Sequence, residues 1–218
     1  TLAEPSKPNG ISEDFWDSVL RLHRMPVPVA VYPYTMKLFK NLFDGTISEE
    51  VTIKILQIIE SFFVRRAFLG LEPTGLHKIF KDLWSKSEAD EDEIRKNIIS
   101  STVEFPDNER FSEKIKTSDL YHRKLCRFVL GEYERSFTRG DVIDTFPPIT
   151  ADHLMPQSRT GDWKKKFSDE DHTLLVHTWA NLVPLSNKAN AEKGANNWEE
   201  VKNNLAEETV FKSTRSVI

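Results

Sequence analysis

Residues 149–158 read ITADHLMPQS, and they decide the fold. The stretch reads as a short extended segment ending in an acid and an imidazole side by side, Asp152 and His153. Neighbouring side chains of a strand point to opposite faces. Both groups therefore reach one site only where the strand ends or bends, and Pro156 enforces that exit. Downstream, residues 181–194 read NLVPLSNKANAEKG, a strand-to-helix transition that carries Asn181, Asn187, Asn190 and Lys193. Asn190 and Lys193 are three apart and share a helix face. An asparagine here reads either as a ligand or as a helix cap, so Asn187 stays open as the rival of Asn190.

With these residues in view, the sequence resembles the HNH (ββα-metal) nuclease family. Within it, the C-terminal nuclease domain of GmrSD-type modification-dependent restriction enzymes and the related antiphage nuclease SspE are the nearest likeness. Their pattern is an acid, His, an aliphatic, a variable residue, then Pro-Gln, followed by a Trp, a Gly-Asn-Leu-x-x-Leu strand and a late Asn. This chain has Asp152-His153-Leu154-Met155-Pro156-Gln157, Trp163, Asn181-Leu182-Val183-Pro184-Leu185 and Asn190. Ala180 replaces the usual Gly, and Asp152 stands where Glu is usual. The resemblance spans about 145–205 and extends more weakly to IIESFFVRRAFLG (58–70) and GLHKIF (75–80).

The resemblance implies a metal-dependent DNA endonuclease that leaves 5′-phosphate and 3′-hydroxyl ends. Its setting would be prokaryotic restriction and antiphage defence, and one such site would nick duplex DNA one strand at a time. The sequence shows no recognisable base-reading module, so sequence selectivity is expected to be low. Asp152 and Asn190 would hold one Mg²⁺ (or Mn²⁺), a cation that prefers oxygen ligands and keeps several waters. His153 would act as general base, which an imidazole of ordinary pKa ~6.5 can do near neutral pH. Asn181 would brace the hairpin and orient the imidazole. Lys193 would pair with a phosphate oxygen or remain a solvated surface residue. Arg159, Lys164, Lys165, Lys166 and Lys188 would contact the DNA backbone. The family also carries an N-terminal NTPase and modification-sensing domain, for which no Walker lysine motif or phosphate-cradling glycine loop is present. The alternative function is a catalytically silent DNA-binding or domain-docking regulatory module.

Around this constellation, TLLVHTWANLVPL (173–185) is rich in strand formers. Trp198, Val201 and Leu205 give a final amphipathic segment, and Trp163 and Trp179 read as core. His177 reads as a strand residue that packs or hydrogen-bonds, with contact to DNA as the alternative, and His23, His77 and His122 as ordinary helix residues. Upstream, Gly140 to Pro148 breaks the helical pattern with Pro147-Pro148. Before it, helices are expected from Ser12, from Ser48 through Phe63, from Thr74, from the Asp90/Glu93 capping box, and on a face from Leu120 to Tyr133. Val51 to Phe63 is apolar on several faces, and its length favours a buried helix over a strand. The expected fold is thus α+β, mainly α. A helical domain (1–145) is followed by a small ββα-metal unit (146–218).

Composition narrows the rest. Lys and Arg total 30 against 34 Asp and Glu, so any nucleic-acid surface must be local. The single cysteine, Cys126, makes neither a disulfide nor a zinc site. A reducing, cytoplasmic setting is the simplest reading. No apolar run spans a bilayer. The opening TLAEPSKPNG is neither a signal peptide nor a Met start, so the chain reads as a piece of a larger protein.

Overall fold

The structure is a computed structural model and describes residues 6–71, 74–99, 103–137, 149–193 and 197–218, with the side chains of Glu192 and Lys193 left out. It divides into two compact units, one up to Asn108 and one from Glu109. The sequence places its boundary between residues 145 and 146. Gly140 to Pro148 lie outside the described residues.

The first unit contains α1 (Glu13–Arg24), α2 (Tyr32–Phe43), α3 (Glu49–Phe68), α4 (Leu76–Ser87) and α5 (Glu91–Ile99). Ser12 and Ser48 are extended and cap α1 and α3, accepting from the amides of Phe15 and Val51 at 3.2 and 3.3 Å. α3 runs through the core and buries Ile55, Ile58, Ile59 and Phe62 completely. This explains why its pattern is apolar on several faces. α4 starts later than Thr74 because Gly75 takes a left-handed conformation, φ 84°. A side chain there would be strained and would also press on Val103 at 3.1 Å. Asp90 accepts from the Glu93 amide at 2.8 Å at the start of α5.

The division falls after the first residue of α6 (Asn108–Thr117), and the second unit carries the rest of it with α7 (Cys126–Ser136), β1 (Thr150–His153), α8 (Trp163–Lys166), α9 (Asp169–Leu175), β2 (Leu182–Leu185), α10 (Asn187–Lys193), α11 (Trp198–Glu208) and α12 (Lys212–Arg215). β1 and β2 are antiparallel, with Thr150 opposite Leu185, Asp152 opposite Val183 and His153 opposite Leu182. α7 packs on both strands, which draws it into the same compact unit as the hairpin. Gly131 in α7 helps this approach, since a Cβ there would meet Ile149 at 3.3 Å. Leu154, Val183, Leu185, Ala189, Val201 and Leu205 form the core under α10 and α11. Each fully buried Val or Leu contributes about 1.5–3 kcal/mol. On the other side, the buried Glu134 carboxylate of α7 accepts from the amides of Lys212 and Ser213, both at 2.8 Å, and from the Ser213 hydroxyl. Thr214 donates to the Pro184 carbonyl at 2.8 Å, so the C-terminal turn closes onto β2.

Two sequence expectations change. The strand-forming run 173–185 becomes the end of α9, one 3-10 turn (Trp179–Asn181) and only four residues of strand. Local capping overrides β propensity there. The Ser168 hydroxyl accepts from the Asp171 amide at 3.0 Å, and Asp169, Glu170 and Asp171 stand at the positive end of the helix. The helical face expected from Leu120 begins only at Cys126. Leu120 and Tyr121 instead sit in a turn whose amides donate to the His177 carbonyl at 2.9 and 3.2 Å. Among the described residues, no helix is long and apolar enough to cross a membrane.

Candidate active site

The ladder register puts Asp152 on the same face as its partner Val183, the face covered by α10 and α11. Ser186 caps α10, its hydroxyl accepting from the Ala189 amide at 3.2 Å, and Ala189 is buried in the core. These two anchors fix how α10 rotates. Asn190 therefore turns toward Asp152, while Asn187, at the first helical position, is exposed. With its amide nitrogen inward, Asn190 donates to Oδ1 and Oδ2 of Asp152 at 3.1 and 3.2 Å. With the amide reversed, its oxygen joins the two carboxylate oxygens, a donor set suited to a hard divalent cation. No group of three or more His, Cys, Asp or Glu capable of holding a metal occurs among the described residues. The pair would therefore leave most coordination positions to water and phosphate.

His153 is the last residue of β1 and is only 3% exposed. Its Nε2 lies 3.1 Å from Nδ1 of His177, and the Gln157 amide nitrogen lies 3.4 Å from its Nδ1. Tyr121 covers the imidazole with a centroid separation of 4.2 Å, and the same ring stacks on His177 at 5.4 Å. Behind His177 stands His122, 4.5 Å away, whose Nδ1 meets the Asp119 carboxylate at 2.7 Å. Burial pushes the His177 pKa below the ordinary imidazole range, and the nearby Asp119 charge only partly opposes it. His177 is therefore neutral at neutral pH.

Beyond His153 the chain must leave the ladder, and Asn181 makes the exit rigid. Its buried side chain accepts from the Met155 amide at 2.7 Å and donates to the carbonyls of Met155 and Val176 at 3.0 and 2.8 Å. Its own carbonyl accepts from the Leu154 amide at 2.9 Å. The His172 Nε2–H adds a donation to the Pro156 carbonyl at 2.9 Å. The asparagine thus acts on the segment just after the imidazole, through backbone.

The basic residues divide by environment. The Arg159 guanidinium donates to the carbonyls of Lys164 and Phe167 and pairs with Asp169, so it folds the α8 loop. Lys165 pairs with Asp162 at 2.8 Å and Lys188 with Glu208 at 2.9 Å. Lys164 and Lys166 are exposed on the single turn of α8. The Lys193 side chain lies outside the described residues. Trp163 is buried beside Met155 and Val176.

The sequence reading did not single out Tyr121, or the contact of His177 with His153. The aromatic-imidazole pair Tyr121-His122 and the isolated His177 were the available signals. Only the fold, through the turn that ties residues 120–121 to the His177 carbonyl, brings them together.

A family model described as GmrSD restriction endonucleases, C-terminal domain, matches residues 105–218. No curated protein and no solved structure matches the chain.

Proposed function

The chain belongs to the GmrSD restriction endonuclease C-terminal domain family, nucleases of the restriction type, and from that membership we propose a metal-dependent endonuclease that nicks DNA. The observation that carries the proposal is the meeting of the Asn190 amide with both Asp152 oxygens at 3.1 and 3.2 Å, at the strand end that His153 closes. Asp152 and Asn190 would hold one Mg²⁺ or Mn²⁺. When bound, the ion supplies a Lewis acid that offsets charge on the scissile phosphate and on the departing 3′ oxygen.

The protein groups do the rest. His153 takes the proton of the attacking water, whose oxygen bonds to phosphorus as the bond to the 3′ oxygen breaks, and the departing 3′ oxygen takes a proton from solvent water. The products are a 5′-phosphate and a 3′-hydroxyl. Asn181 keeps the segment after the imidazole from shifting. Lys164 and Lys166, with Lys165 and Lys188 at the cost of their surface ion pairs, would meet DNA phosphates. Such contacts position the duplex without reading sequence. Exposed pairs of this kind contribute only about 0–1 kcal/mol, so their exchange for phosphate is cheap. Arg159 would support this surface through the α8 loop, and Lys193, the last residue of α10, completes the proposed set of phosphate contacts. A larger assembly with an NTPase and modification-sensing region, acting in defence against foreign DNA, fits the same membership.

The test is incubation of the full chain with supercoiled plasmid and Mg²⁺ or Mn²⁺. The expected result is open-circular product that EDTA abolishes and that Asp152→Ala and Asn190→Ala each reduce at least about 100-fold, the scale of a lost ligand. Retardation of DNA without nicking would instead identify a silent DNA-binding module. Neither nicking nor retardation would identify a docking module.

A further inference from the structure

We propose that His177 is the positioning residue for His153, accepting the His153 Nε2–H at its own Nδ1 and so leaving the His153 Nδ1 lone pair for the water proton. This deepens the nuclease reading and rests on it. A neutral imidazole has one N–H and one lone pair, and the partner of one nitrogen decides the role of the other. Two contacts bear on the assignment, and the Gln157 contact selects between the tautomers. The Gln157 amide nitrogen, a donor only, faces Nδ1 at 3.4 Å, which favours a lone pair on Nδ1. The proton then sits on Nε2, 3.1 Å from His177 Nδ1, which must accept in turn. The long Gln157 contact is the weaker of the two and gives way to an incoming water.

His177 suits this task because it is held on three sides. Its carbonyl takes the amides of Leu120 and Tyr121, its ring stacks at 18° on Tyr121, and His122 stands against its edge. The same Tyr121 ring lies over His153, so one aromatic side chain sets the planes of both imidazoles. Burial keeps His177 neutral, which preserves its lone pair. A charged His177 would donate from both nitrogens and push the His153 proton to the wrong side.

The test compares His177→Ala and His177→Asn in the full chain, because the asparagine oxygen can stand where Nδ1 does. His177→Ala should lower kcat for plasmid nicking by about 10–100-fold, the range seen when an imidazole loses its orienting partner, with KM for DNA unchanged. His177→Asn should restore most of that loss. Nitrogen-15 spectra of the histidine rings give an independent readout. In the wild type, His153 should carry its proton on Nε2, and His177→Ala should move it to a mixture of tautomers. An alanine variant with full activity overturns the proposal. So does a loss that asparagine does not rescue while the His153 tautomer stays unchanged. If the wild type does not cut DNA, the nuclease reading fails, and the ring spectrum alone decides whether His177 sets the His153 tautomer.

Discussion

His153→Ala should nick supercoiled DNA about 10²- to 10⁴-fold more slowly than the wild type, the contribution typical of a positioned general base. The substitution removes the only imidazole that closes β1, directly beside Asp152 in sequence. Truncation leaves the Asp152–Asn190 pair and the Asn181 clamp intact, so cation and DNA binding should persist. The effect should therefore fall on kcat and not on KM. It should also exceed the loss in His177→Ala, because the partner only orients the group that His153→Ala deletes. Plasmid nicking rates measured at matched DNA occupancy check this. A variant within about three-fold of wild type would remove His153 from the chemistry, since general-base loss is far larger.

Asn181→Ala should destabilise the second unit by roughly 3–5 kcal/mol, the second large effect. One side chain makes three buried bonds, to the amide and carbonyl of Met155 and to the carbonyl of Val176. Each buried group left unpaired costs about 1–3 kcal/mol. Relaxation or an entering water recovers part of the sum, which sets the upper end of the range. Asn181→Asp is the informative companion. It keeps an acceptor for the Met155 amide and loses both donations to carbonyls. Urea unfolding gives the total, and hydrogen exchange of the Met155 amide, which donates to Asn181, locates the effect. A loss below about 1 kcal/mol would mean that the clamp is not what holds the exit from β1.

The parts of this molecule legible in its sequence are those written locally. Ser12, Ser48 and Asp90 announce the starts of α1, α3 and α5 because capping is a contact over three residues. The extended stretch through Asp152-His153 and the polar turn into α10 were likewise readable, since strand, turn and helix follow one another. The mainly helical α+β class followed from these. Elements that depend on competition between signals were harder. Residues 173–175 lie in a strand-forming run, yet Ser168 and three acids start a helix that carries through them. Gly75 delays α4 through a backbone angle that residue type alone does not announce. α6 was not read at all, and none of its residues is buried, so it leaves little apolar periodicity to find.

The site shows the same division. Residue types near Asp152 and Asn190 carry their own chemistry, and a motif displays them. The surroundings of His153 are tertiary. Tyr121 and His177 approach it only because α7 and the turn before it pack on the hairpin. A carboxylate, an amide and an imidazole can be named from sequence, but the proton direction between two imidazoles cannot. That direction depends on a contact of 3.1 Å between residues far apart in the chain.

Anomalous diffraction from a crystal of the chain soaked in Mn²⁺ tests the central claim most directly. One strong peak is expected between Asp152 and Asn190, about 2.0–2.3 Å from a carboxylate oxygen and from the asparagine amide oxygen, as a hard divalent cation requires. His153 should stay outside its coordination sphere. A peak held by other residues, or none at an Mn²⁺ concentration that supports nicking, would contradict the account.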